Sequence, residues 1–174
     1  LKIDKTDNIV LAGDTYSADF PITSGVIQKE NKGKNDCIVV KISTNGSDLL
    51  FSTFLGGTSW DVLVDVSLNE QNNVFICGKT FSQDFPVSSW GVLQNLLKGE
   101  TDCFIVNMNP FGSKLLYSTF VGGSGYEDIQ SLFVDLNGNA YFTGTTGSRD
   151  FPIFHDFRSD YSPPDCFIAK LNPL

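Results

Sequence analysis

The apolar positions along this chain come in short runs and never settle into a 3.6-residue period. Cys37-Ile38-Val39-Val40-Lys41-Ile42 is β-branched and almost continuously apolar, as are Cys103 to Val106 and Cys166 to Leu171. Runs of this length predict strands covered on both faces. Leu49 to Leu55 and Leu115 to Val121 place Ser-Thr pairs between large residues, which predicts strands nearer the solvent. Phe133 to Phe142 reads as two strands joined by Asn137-Gly138, a hairpin signal. Asn45-Gly46 and Pro110-Phe111-Gly112 mark further hairpin turns. The elements are therefore short antiparallel strands, about eleven of them.

The pattern repeats. Asp19-Phe20-Pro21 returns as Asp84-Phe85-Pro86 and as Asp150-Phe151-Pro152. Gly56-Gly57 returns as Gly122-Gly123, and Asp36-Cys37 as Asp102-Cys103 and Asp165-Cys166. Several independent markers share one period of about 65 residues. Each unit runs in the same order: Asn-x-x-x-x-Gly, Thr-x-Ser-x-Asp-Phe-Pro, a variable stretch, Asp-Cys with an apolar run, then Leu-Leu-(Phe/Tyr)-Ser-Thr-Phe-(Leu/Val)-Gly-Gly. The units divide the chain at 1–57, 58–123 and 124–174, with most of a first strand lacking in the first and the last strand lacking in the third. A small sheet with two apolar faces needs a neighbour on each side. The expected architecture is all-β: blades of four antiparallel strands, about three of them, partial at both ends, as part of a larger propeller.

The motifs Asp-Phe-Pro, Asp-Cys-Phe-Ile-Ala-Lys-Leu-Asn and Leu-Leu-Tyr-Ser-Thr-Phe-Val-Gly-Gly resemble the SBBP (β-propeller) repeat. That resemblance implies a propeller and an extracellular or cell-surface setting, typically bacterial. It does not imply a catalytic site, because the repeat consensus is a set of folding residues.

Composition narrows the chemistry. The 174 residues carry a net charge of −8 and one histidine, His155. Such an acidic chain does not track phosphate backbones, so nucleic acid is not an expected partner. No apolar run is long enough to span a bilayer as a helix. One histidine rules out a multi-histidine metal centre, and neither a cofactor nor a metal is called for. Asp135-Leu136-Asn137-Gly138-Asn139 faintly resembles the start of a calcium loop, but the turn alone explains it.

The repeated Thr-x-Ser-x-Asp-Phe-Pro reads as a fold staple: hydroxyls and carboxylate bond turn backbone, Phe20, Phe85 and Phe151 fill equivalent buried sites, and proline stops the strand. Cys37, Cys103 and Cys166 share one repeat position and read as buried thiols. Cys77 lies one strand from Cys103, which leaves a cross-strand disulfide open. The variable stretches are where a ligand would bind, with the unmatched Trp90, Phe154, His155 and Tyr161 as candidates. His155 has neither an identifiable nucleophile nor an orienting group, so no catalytic residue is assigned. The expected function is a non-catalytic extracellular or cell-surface module, a scaffold or a protein- or glycan-interaction surface. The alternatives are part of a glycan-active propeller enzyme and a carbohydrate-binding propeller. The expected partners are further blades of the same polypeptide, other chains of a surface assembly, or glycan.

Overall fold

The computed structural model describes residues 1–89, 92–154 and 162–172. Every described element is a strand: β1 (Lys2–Ile3), β2 (Ile9–Thr15), β3 (Asp36–Ile42), β4 (Leu49–Leu55), β5 (Asp61–Leu68), β6 (Val74–Thr80), β7 (Asp102–Met108), β8 (Leu115–Val121), β9 (Glu127–Val134), β10 (Ala140–Thr146) and β11 (Asp165–Leu171). They form three antiparallel sheets in simple order, β1-β2-β3-β4, β5-β6-β7-β8 and β9-β10-β11. Each sheet is one blade, and the blades stack face to face.

Two apolar layers hold the stack. Val10, Cys37, Val39 and Phe51 of the first blade pack on Ile76, Phe104 and Val106 of the second. Phe75, Cys77, Cys103, Ile105 and Tyr117 of the second pack on Ile129, Leu132 and Phe142 of the third. Each blade therefore has a leading face toward its predecessor and a trailing face toward its successor. Strand alternation supplies both faces from one apolar run.

The turns between the first two strands of each blade share one backbone device. Gly138 takes a φ of 81°, and Asp7 and Asn72 occupy the same repeat position at 60°. Short polar side chains tolerate this left-handed conformation where glycine is absent. Asp135 Oδ1 accepts from the amides of Asn137 and Asn139, both at 2.9 Å. Its carboxylate caps the turn, as Asp4 does toward Thr6 and Asn8.

The fourth strands depart from expectation. From Phe51 and Tyr117 onward β4 and β8 are buried rather than near solvent. The cause is the variable stretch, which runs back beside them as a strap. The amide of Phe54 donates to the Gln28 carbonyl at 3.1 Å, and that of Phe120 to the Gln94 carbonyl at 3.0 Å. Thr53 and Thr119 hydroxyls bond the same two glutamine residues' backbone. The strap occupies backbone groups that an edge strand would otherwise expose.

The cysteines divide. Cys37, Cys77 and Cys103 are buried and all four are free thiols, so the cross-strand disulfide does not form. In the register Cys77 faces Ile105 and Cys103 faces Lys79, so the two cysteines are diagonal rather than opposed. Cys166 is exposed, contrary to expectation. Its repeat position lies on a trailing face, and no described residue covers that face of the third blade. Burial pushes the Cys77 thiol up to about 12 and raises Cys37 and Cys103 as well. Only thiolates alkylate readily. Native alkylation is therefore expected to add one label, at Cys166, and denaturation to raise the count to four. Mass spectrometry checks this, and a native label on Cys103 would contradict the packing.

Candidate functional site

The hydroxyl and carboxylate groups of the repeated motif converge at the blade junctions. At the first junction the Asp84 carboxylate accepts from the Thr58 amide at 2.8 Å and the Thr58 hydroxyl at 2.9 Å. Ser82 Oγ accepts from the Ser59 amide at 2.9 Å, and Thr80 Oγ1 from the Ser82 amide at 2.9 Å. The second junction repeats this with Asp150 accepting from Ser124 and Ser148 accepting from the Gly125 amide. The motif clamps the link that leaves one blade onto the turn of the next. Asp84 and Asp150 are held below the usual carboxylate range, chiefly by the amides of Thr58 and Ser124.

Beneath each clamp lies a buried acid that reading the motif alone misses. Asp61 opens β5 and accepts from Thr80 Oγ1, from Ser82 Oγ at 2.9 Å and from the Gly57 amide at 2.8 Å. Glu127 opens β9 and accepts from Thr146 at 2.6 Å, Ser148 at 2.5 Å and the Gly123 amide at 3.1 Å. A second acid stands beside each. Asp36 accepts from Gln28 Nε2 at 2.7 Å, and Asp102 from Gln94 Nε2 at 2.5 Å. A Cβ added at Gly56 would lie 2.7 Å from both Asp36 Oδ1 and Asp61 Oδ2. Gly122 sits in the same way between Asp102 and Glu127. The link must pass between two carboxylates, and only glycine fits. Burial raises the Asp36 and Asp61 carboxyls above their ordinary value, with their mutual repulsion adding to the Asp61 shift. The sequence signal for these acids is their place five residues beyond the first link glycine in both repeats.

The stapling phenylalanines differ between blades. Phe85 is 2 % exposed and stacks on Phe104 at 4.5 Å, and Phe151 stacks on Phe167 at 4.7 Å. Phe20 is only half-buried and touches Phe54 edge-on at 6.4 Å. Two causes act: no described residue covers the leading face of the first blade, and Ile38 stands where Phe104 and Phe167 stand. Asp19 is exposed, and no link among the described residues lies against it. Pro21, Pro86 and Pro152 lie outside the strands, ahead of the straps.

The same end of the stack carries an arc of exposed rings. Tyr16 and Trp60 meet at right angles with centroids 6.0 Å apart, and Lys34 Nζ lies 6.0 Å from the Trp60 ring centre. The Trp60 carbonyl accepts from the Phe81 amide at 2.9 Å. Tyr126 repeats the Trp60 position at the second junction, and its carbonyl accepts from Gly147 at 2.8 Å. A Cβ at Gly147 would lie 2.7 Å from the Tyr126 ring, so the glycine leaves room for it. Tyr16, Trp60, Phe81 and Tyr126 are all exposed. Looking only for unmatched aromatics overlooks them, because they recur with the repeat.

Of the loop candidates, Phe154 is described and is 75 % exposed. It stands where Thr23 and Ser88 tie the fourth strand by a hydroxyl, Thr23 Oγ1 accepting from the Ser52 amide and Ser88 Oγ from that of Ser118, both at 3.0 Å. Trp90, His155 and Tyr161 lie outside the described residues. At the opposite end the β1–β2, β5–β6 and β9–β10 turns line a cavity of about 190 Å³. Lys5 bridges it to Glu70, and Asp4 pairs with Lys41 Nζ at 2.5 Å, so charges there are paired across and within blades.

The stretch from β8 through the link, β9 and β10 to Phe151 holds one whole junction, with clamp, buried acid and staple. Residues 116–152 match the SBBP β-propeller repeat. In this chain the matched residues span the second junction. The first junction has the same bonds at the same repeat positions. Among curated proteins none matches this chain.

Proposed function

We propose that this chain is a non-catalytic SBBP-repeat module of an extracellular or cell-surface protein, a rigid scaffold that presents a protein- or glycan-binding face. The observation that carries this reading is the aromatic arc Tyr16, Trp60, Phe81 and Tyr126. Its rings are exposed at strand ends and links; junction bonds fix the backbone of Trp60, Phe81 and Tyr126, and Tyr16 packs edge-on against Trp60. Exposed aromatic clusters on rigid supports mark interaction sites, and Tyr and Trp combine apolar area with a polar edge. The motif carboxylates and hydroxyls of the second and third units, by contrast, are engaged in the clamps. The extracellular setting rests on the SBBP resemblance.

The test is a panel of oligosaccharides and peptides scored for both binding and product release. Binding without turnover is expected. Tyr16→Ala with Trp60→Ala should weaken the strongest ligand at least about tenfold, the loss of one anchoring contact of about 1.4 kcal/mol. The unfolding midpoint should stay near that of the parent, because both rings are surface groups. Glycan turnover that co-elutes with the folded chain would instead establish the enzymatic alternative.

A further inference from the structure

We propose that the corner formed by Tyr16, Trp60 and Lys34 is a subsite for a hexuronate unit of an acidic polysaccharide. The proposal rests on the reading of the aromatic arc as a binding face, and it names the chemistry of the ligand.

Two walls and one free charge meet at the first junction. Tyr16 is 67 % exposed and Trp60 40 %, and their rings stand at 90°. The backbone around Trp60 is held from two sides. Its carbonyl accepts from the Phe81 amide, and the Ser59 carbonyl accepts from the Lys34 amide, both at 2.9 Å. The second bond ties the strap that bears Lys34 to the link that bears Trp60. Groups held in this way have less freedom to lose when a ligand lands on them. Lys34 Nζ lies 6.0 Å from the Trp60 ring centre, at the outer limit of cation–π attraction, so the ring takes up little of its charge. Among the described residues Lys34 makes no salt bridge and no side-chain hydrogen bond. The charges around it are engaged: Lys32 acts on the Asp36 and Asp84 carboxyls, and Asp14 accepts from Asn35 Nδ2 at 2.7 Å. An open ammonium beside an exposed aromatic corner repels a cationic ligand and calls for an anionic one.

The second junction lacks this combination. Tyr126 holds the Trp60 position and Phe81 the Tyr16 position, but Glu100 holds that of Lys34. Residues 29–34 carry three lysines against one glutamate, and residues 95–100 one of each. The repeat folds with either charge, so its packing does not explain Lys34.

The chemistry of the corner selects the ligand. Aromatic faces carry negative charge and attract the C–H face that a pyranose presents. A hexuronate joins that face and a carboxylate in one unit, whereas an aspartate or glutamate side chain brings the charge without the face. The net charge of −8 opposes dense polyanions at long range, which favours one carboxylate per sugar over a heavily sulfated chain.

The probes are hexamers of galacturonate, mannuronate and glucuronate, titrated into the 174-residue chain by isothermal titration calorimetry. A chelator in the buffer prevents calcium from bridging uronate to the acidic surface. At least one hexamer should saturate. Lys34→Gln and Trp60→Ala should each weaken it at least tenfold, while Lys34→Arg and Lys98→Gln should leave it within about threefold. The methyl ester of the same hexamer keeps the shape without the charge and should also bind at least tenfold more weakly. Both side chains are exposed, so the unfolding midpoints should stay near that of the parent. No saturation at millimolar hexamer, or equal losses for Lys34→Gln and Lys98→Gln, would overturn the proposal. Trp60-dependent binding of the ester or of hexaglutamate at full strength would also overturn it, while leaving the aromatic arc a binding face for neutral glycan or acidic peptide.

Discussion

Phe85→Ala should lower the free energy of unfolding by about 3–5 kcal/mol, whereas Phe20→Ala should cost about 1–2 kcal/mol. The two residues occupy the same repeat position and differ only in surroundings. Phe85 stacks on Phe104, touches Phe120 and is sealed by the first blade. Its removal leaves a cavity that three blade elements would have to collapse together to fill. Phe20 has one ring partner and keeps solvent contact. Chemical denaturation of both variants under one set of conditions measures the difference. Equal losses would mean that stapling acts within a blade and that the covering face adds nothing. A loss below about 1 kcal/mol for Phe85→Ala would remove the staple altogether.

Asp61→Ala is the second substitution with a large expected effect, about 3–5 kcal/mol, because it strands the Thr80 and Ser82 hydroxyls and the Gly57 amide inside the junction. Asp61→Asn keeps an acceptor and should cost less. The two can be separated further by pH. Burial raises the Asp61 carboxyl in the folded chain above its ordinary value of about 3.9. A raised acid contributes stability that is fully present below the unfolded value and is lost as pH rises through the folded one. Asparagine cannot take up that proton. The penalty of Asp61→Asn should therefore be larger near pH 4 than at pH 7, read from denaturation midpoints at the two values. Asp4, Asp84, Asp135 and Asp150 work in the other direction. Their carboxyls are lowered, so their contribution is present above the ordinary carboxylate value and falls away as acid is added. A penalty for Asp61→Asn that shrinks on acidification would contradict the buried-acid assignment.

Much of the fold was legible in the sequence because the repeat copies its own punctuation. The strands, their order and the hairpin turns follow from Asp-Cys, Asp-Phe-Pro and Gly-Gly recurring in step. Phe20 and Cys166 depart from the buried environment that their repeat position predicts, for one shared reason. Repeat position predicts an environment only together with the neighbouring blade, and no described residue covers the faces that carry these two. β4 and β8 are more buried than their Ser-Thr pattern predicts because the variable stretch, whose apolar pattern carries no obvious period, runs beside them. The aromatic arc was obscured by the same regularity that revealed the fold: Trp60 and Tyr126 recur, and recurrence reads as structure. The buried Asp61 and Glu127 differ in length and stand outside the motif, yet each reaches its own threonine, serine and glycine.

The junctions also bear on the order in which the molecule can be made. The trailing face of the first blade, with Cys37 and Val39 fully buried, is completed by residues as distant as Phe104 and Val106. Gly57 and Thr58 leave that blade but find their carboxylates at Asp61 and Asp84 of the next. During synthesis from the N-terminus, a blade is thus released before its closing partners exist. Native order would trail the ribosome by one full repeat, and a nascent chain halted within the second unit would hold its first sheet paired along the backbone but open on its face.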